Sequence, residues 1–251
     1  ILTVAAIVGN IIANQYATTI NVALNASTYK IIHGENTGDT EYFKKGFASD
    51  EEREAYEAEL CATVEAEGAA LLKNENNALP LATGAKVSLF GHGSVDLMYG
   101  GTGSGSVDTS KAPNLKQALE AQGITINQTL WDLYSSDSMM SKYSRMTPAS
   151  ISDTLEANTQ YAVNEAPWSA LSSAESSFAE YGDAAIVVLS RSGGEGADLP
   201  SGENGTSDNW ISGQEGDGNY LALSAEEIEL LQNLRALKDN GAFRNSIVLI
   251  N

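Results

Sequence analysis

Cysteine is nearly absent from this chain of 251 residues, with Cys61 standing alone. No intrachain disulfide can form, and no cysteine-based zinc site is possible. Histidine is almost as scarce. His33 and His92 are too few and too far apart to suggest a metal site. His33 reads as a surface or linker residue, and His92 as a loop residue after a strand. No metal and no cofactor is expected. Basic residues are also few, with 14 Lys and Arg against 33 Asp and Glu and a formal net charge of −19. Phosphate binding needs clusters of Lys and Arg, so nucleic acid and an anionic membrane surface are excluded as partners. The acidic surface serves solubility.

Charge is missing altogether from Ile1 to Ala13, ILTVAAIVGNIIA, and polarity stays low to Leu24. The first residue is not Met. Residues 1–24 therefore read as the tail of a signal peptide or of an uncleaved membrane anchor whose basic front end lies upstream. Thirteen residues are too short for a bilayer, which needs about 20. The competing reading is a buried N-terminal helix. An exported chain without disulfides fits a bacterial cell surface, so the expected location is extracytoplasmic, cell-surface or membrane-anchored. The sequons at Asn25, Asn127 and Asn204 then carry no meaning.

What is present is a run of strands and helices in alternation. Residues 25–49 are polar and mixed, and read as a linker or arm. A long helix is expected from Asp50 to about Lys73, capped by Ser49 or Asp50, with Glu51, Glu52 and Glu54 in its first turn. Its Tyr56, Leu60, Val64 and Leu71 recur at helical spacing and are expected to face a core. Strands are expected at Lys86–Gly91, Ile124–Asn127, Ala184–Leu189 and Ser246–Ile250. A helix is expected over Pro113–Gln122, with Pro at its start and Gly123 after its end. Another is expected over Leu171–Tyr181. Ser224-Ala225-Glu226-Glu227 is a capping box, and opens a helix to about Asn240. Its Ile228, Leu231, Leu234 and Leu237 form one apolar face. Residues 135–169 and 191–223 read as long irregular excursions, and such loops are often functional. The alternation implies right-handed βαβ units and a mostly parallel sheet.

The strand Ala184–Leu189 runs straight into Ser190-Arg191-Ser192-Gly193-Gly194-Glu195-Gly196-Ala197-Asp198. In open α/β sheets ligands bind beyond the carboxyl ends of the strands. Glu195 sits at such an end, between glycines that let a bulky ligand approach the backbone. Arg191 and Asp198 stand close by in sequence. A carboxylate there suits acid/base work or binding of a polar ligand such as a sugar, whereas an isolated loop glutamate is usually just solvated. After the first strand, Gly100-Gly101-Thr102-Gly103-Ser104-Gly105-Ser106 offers backbone amides and hydroxyls. It lacks the Lys-Ser or Lys-Thr of a P-loop, and Asp96 stands where a dinucleotide fingerprint begun at Gly91-His92-Gly93 needs its third glycine. That leaves a flexible loop, or one shaping a polar pocket beside Glu195. Among the tryptophans, Trp131 reads as core, while Trp168 and Trp210 lie in loops where they can stack on sugar rings.

Three segments carry a resemblance when taken together. Glu67-Gly68-Ala69-Ala70-Leu71-Leu72-Lys73-Asn74-Glu75, then Leu79-Pro80-Leu81, then Lys86-Val87-Ser88-Leu89-Phe90-Gly91, resembles the opening of the second domain of glycoside hydrolase family 3. Gly100 to Gly105 is similar to that domain's glycine-serine loop, and Gly194-Glu195-Gly196-Ala197-Asp198 to its acid/base loop. The resemblance runs from about Asp50 to Asn251. It implies an α/β fold, a three-layer sandwich with a mostly parallel sheet and helices on both faces, incomplete at the C-terminus. It also implies retaining hydrolysis of an oligosaccharide or β-glucoside at a site shared between two domains. A (β/α)8 barrel in the same full-length chain would supply an aspartate nucleophile, and Glu195 the acid/base. Gly101, Thr102, Gly103 and Ser104 would line the site, with Arg191 and Asp198 beside substrate. Leu199 departs from the family, which often has Arg there. No barrel motif occurs in these residues, so the layout resembles members in which this domain comes first, and the chain alone is expected to have no turnover. The rival reading is a catalytically silent carbohydrate-binding or scaffolding domain.

Overall fold

A computed structural model describes residues 2–24, 46–101, 103–146, 162–193 and 220–251. The chain divides into two compact units, Ile1–Ala70 and Leu71–Asn251.

The first unit holds helices α1 (Leu2–Gln15), α2 (Ala17–Ala23) and α3 (Asp50–Gly68), and none of their residues is buried. Among the described residues no helix is long and apolar enough to cross a membrane. Helix α3 starts as its sequence dictates, with Ser49 Oγ accepting from the Glu52 N–H and Asp50, Glu51 and Glu52 in the first turn. It ends at Gly68 rather than near Lys73, because Ala69 turns extended and closes the last turn through its N–H to the Glu65 carbonyl. The expected core-facing row is corrected as well. Tyr56, Leu60 and Val64 are exposed, and so is Leu71 beyond the helix end. A row one residue wide on a glutamate-rich helix is too narrow to make a buried face.

The second unit is built on a sheet of four parallel strands in the order β2-β1-β3-β4. These are β1 (Lys86–Phe90), β2 (Thr125–Ile126), β3 (Ala184–Leu189) and β4 (Asn245–Ile250). The continuous apolar run of β3 and the buried Val87, Ser88, Leu89 and Phe90 of β1 mark the middle of the sheet, covered on both faces. Alternation of side chains then sorts two cores. On one face Phe90, Ala185 and Val187 pack with Leu230 and Leu234 of α7 (Ala225–Asp239) and Leu130 of α5 (Gln128–Tyr134). On the other, Val87, Leu89 and Ile186 pack with Leu115 and Leu119 of α4 (Leu115–Ala121). The unit is thus α/β with helices on both faces, as expected. Among the described residues strand β4 pairs with β3 alone, and its Val248, Leu249 and Ile250 are exposed.

Three local expectations need correction. Residues 135–169 are not wholly irregular, because α6 (Asp137–Tyr143) lies among them, capped by Ser136 Oγ accepting from Met139 N–H at 3.3 Å. Met139 is its one buried residue, so no period was visible. Residues 147–161 lie outside the described set. Leu171–Tyr181 is not an α-helix. Two 3₁₀ turns, Trp168–Leu171 and Glu175–Ser177, stand there, with Ser177 Oγ donating to the Ala174 carbonyl at 2.6 Å. Serine hydroxyls compete in this way with regular helical bonding. Finally, the buried stripe of α7 is Glu227, Leu230 and Leu234, while Ile228 is exposed and Leu231 and Leu237 are only partly buried. A charged residue occupies the core stripe, which shifts the face away from the one hydrophobicity alone selects.

Candidate active site

The register Phe90↔Val187 brings β1 and β3 to a common carboxyl edge, so the loops that follow them emerge side by side. The backbone after β1 turns through Gly91, at φ 83°, into a 3₁₀ turn over His92–Ser94. At Gly93 a Cβ would lie 2.7 Å from Ser190 Oγ and 2.9 Å from the Val188 carbonyl oxygen. The two loops touch there, and a side chain would drive them apart.

Asn251, directly after β4, fastens the same loops. Its Oδ1 accepts from Met98 N–H at 2.7 Å and Ser190 Oγ at 2.8 Å, and its Nδ2 donates to the Met98 carbonyl at 3.0 Å. Buried Glu165 supports the β1 loop from beneath. Its Oε2 accepts from His92 N–H at 2.7 Å and its Oε1 from Ala166 N–H at 3.0 Å. Burial pushes this carboxyl up to about 7, and nearby Glu227 adds to the rise, against the lowering effect of the two amides and His92. The same burial, with Glu165 nearby, holds the Tyr134 phenol well above its usual range.

A cavity of about 420 Å³ opens beside the glycine loop, lined in part by Asp96, Tyr99, Gly101, Asn114 and Arg145. Asp96 bridges the His92 ring at 3.3 Å and Arg145 Nη2 at 2.8 Å. Burial raises its carboxyl pKa, but the His92 hydrogen bond and the Arg145 charge outweigh that and hold it below the usual carboxylate range. The result is a wall of fixed, charged hydrogen-bonding groups around a polar hollow.

The expected site residues divide as follows. Gly101 lines this cavity, and Gly103 and Ser104 lie in a 3₁₀ turn over Gly103–Gly105. Thr102, Glu195 and Asp198 lie outside the described residues, as do Trp210 and His33. Trp168 does not stand free for a sugar ring. It packs on the core, with its ring 6.3 Å from Phe90 and 6.0 Å from Phe178, because the aromatic cluster beneath it offers dry contact. Trp131 packs against the other core, as read. His92 follows the strand as read, but is buried.

Arg191 was expected beside substrate, and its guanidinium is occupied within the protein. Nη1 and Nη2 reach the two carboxylate oxygens of Glu227, each at 2.7 Å. Nε donates to the Tyr220 carbonyl at 2.9 Å, Nη2 to that of Ala222 at 2.8 Å, and Nη1 to that of Ser190 at 3.0 Å. These bonds use all five N–H donors of the side chain. The residues missed by sequence reading are Glu165, Arg145, Asn251 and Tyr220. Of this network only Glu227 carried a local signal, its place in the capping box.

The model of the glycosyl hydrolase family 3 C-terminal domain matches residues 69–251. Beta-glucosidase A of Butyrivibrio fibrisolvens is 34% identical over 146 residues, which span 56% of this chain and 15% of that protein. Among solved structures, a β-glucosidase from Paenibacillus barengoltzii is 26% identical with a TM-score of 0.54, covering 77% of this chain and 18% of that one. β-Glucosidase 3B from Thermotoga neapolitana, solved with α-D-glucose, has the same fold at 24% identity and a TM-score of 0.55, covering 81% of this chain and 25% of that one. This chain therefore corresponds to a minor part of each relative's length, and it belongs to glycosyl hydrolase family 3 through its C-terminal-type domain.

Proposed function

We propose that this chain supplies the acid/base carboxylate, Glu195, of a retaining β-glucosidase-like hydrolase acting on terminal β-linked sugars. A (β/α)8 barrel in the same full-length polypeptide provides the aspartate nucleophile. The observation that carries the reading is the family match over residues 69–251, within which Glu195 follows the carboxyl end of the central strand β3. Gly101 to Ser104 and Asp198 contribute to the substrate pocket beside it. The reaction runs in two steps. Glu195 first donates its proton to the departing glycosidic oxygen while the barrel aspartate attacks the anomeric carbon. It then takes a proton from the water that releases the sugar.

Glu195→Gln in the full-length polypeptide tests this assignment. Hydrolysis of an alkyl β-glucoside falls by about 100-fold or more, the scale of general acid catalysis. A dinitrophenyl β-glucoside, whose leaving group needs no proton, is cleaved at a nearly unchanged first step. Equal losses on both substrates would refute the acid/base role. The 251-residue chain alone has no turnover on either, and hydrolysis by it that vanishes on Glu195→Ala would refute the need for a barrel.

The reading extends to an extracytoplasmic, membrane-associated protein. Helix α1 exposes Leu2, Val4, Ile7, Val8, Ile11 and Ile12, and carries no charge. Flotation with neutral phosphatidylcholine vesicles should retain the chain and lose a form lacking residues 1–24. Equal recovery of both would contradict it.

A further inference from the structure

Arg191 and Ser192 stand just before residues 194–219, and Tyr220 and Ala222 just after. Those four residues are bound to one another. Beyond the Arg191 bonds to the Tyr220 and Ala222 carbonyls, the Ser192 N–H donates to the Tyr220 hydroxyl at 3.1 Å, and Ser192 Oγ lies 3.1 Å from the same oxygen. Tyr220, Ser192 and Glu227 are all buried. Glu227 ties this knot to the start of α7, since its Oε2 also accepts from Ser224 N–H at 2.9 Å. A saturated guanidinium–carboxylate pair with three carbonyl acceptors fixes the backbone at Ser190–Ser192 against that of Tyr220–Glu227.

We infer that Arg191 is a positioning residue: its pairing with Glu227 and Tyr220 fixes where the chain leaves and rejoins the fold on either side of residues 194–219, and so sets the acid/base carboxylate at 195 for proton transfer. This inference rests on the assignment of Glu195 above. It gives Arg191 no contact with substrate, and it accounts for an arginine four residues before the acid whose donors are all spent on protein. Lysine cannot replace it, because one ammonium cannot span two carboxylate oxygens and three carbonyls.

The test is Arg191→Lys in the full-length polypeptide, assayed with the alkyl and the dinitrophenyl β-glucosides, beside Glu195→Gln. A positioning role lowers kcat/KM on the alkyl glucoside by about 10-fold or more, part of what general acid catalysis supplies, and leaves kcat/KM on the dinitrophenyl glucoside, which reads the first step alone, within about twofold. A double variant, Arg191→Met with Glu227→Gln, removes both charges, avoids an unpaired buried ion and should show the same split. If Glu195→Gln separates the two substrates and neither Arg191 form does, whether by equal losses or by none, the positioning role is overturned and the function stands. If Glu195→Gln itself fails to separate them, the acid/base reading falls and the positioning role falls with it.

Discussion

Two buried glutamates support the same sheet edge, and they do it by opposite means. Glu227 meets a guanidinium in a two-pronged ion pair and also accepts from the Ser224 N–H. Among the described residues Glu165 meets no cation at hydrogen-bond distance. Its oxygens accept the amide N–H groups of His92 and Ala166, and burial raises its carboxyl to about 7. Charge burial is costly unless a partner answers it. Amides answer part of that cost and a guanidinium answers more. The β3 loop is therefore held by a pair that works as one unit. The β1 loop is held by a carboxylate that changes protonation near neutral pH.

The largest effect should come from breaking the pair on one side. Arg191→Met leaves Glu227 buried without its cation and should cost about 3–5 kcal/mol, read from urea unfolding. Adding Glu227→Gln should recover much of that loss. A double variant as unstable as the single one would mean that the carbonyl bonds of Arg191, not its charge partner, carry the stability.

Glu165 sharpens the other side of the comparison. Its folded pKa is raised above its ordinary value of 4.5. The protonated form is therefore the one the fold prefers. The stability it contributes is complete below pH about 4.5 and is lost as pH rises through about 7. The loss is on the order of 3 kcal/mol from the size of the shift. Glu165→Gln should flatten the fall in unfolding free energy between pH 5 and 8, relative to the parent. Subtracting the two profiles isolates Glu165 from His92, which lies against it. Parallel profiles would show that Glu165 is ionised throughout.

A smaller effect is expected where the carboxylate network meets a helix end. Ser224→Ala removes the acceptor for the Glu227 N–H and should cost about 1 kcal/mol in the same unfolding assay. The smallest belongs to α3. Leu60→Ser should change stability by less than about 0.5 kcal/mol, because Leu60 is 47% exposed. A larger loss would return Leu60 to a buried role.

The strands of this fold were legible because buried parallel strands write themselves as short apolar runs, and Ala184–Leu189 matches its expected bounds. Caps were legible because they are local, as Ser49 and Ser224 show. The supports of the site were not. Apart from the Ser190 carbonyl, Arg191 finds its acceptors 29 to 36 residues away, and Glu165 reaches back 73 residues to His92. No local pattern marks a pairing at that range. Helix α3 erred in the other direction, since helical spacing of apolar residues records a possible face and not a covered one. Trp168 likewise read as a loop residue, because its aromatic neighbours Phe90 and Phe178 come from separate elements.

The acid/base claim is tested most directly by replacing the carboxylate and offering a substitute. In the full-length polypeptide, Glu195→Ala should cleave dinitrophenyl β-glucoside and then stall at the glycosyl-enzyme, for want of a base to activate water. Added azide needs no base. It should accelerate turnover and yield the β-glucosyl azide with retained configuration. A rate and product unchanged by azide would contradict the assignment of Glu195.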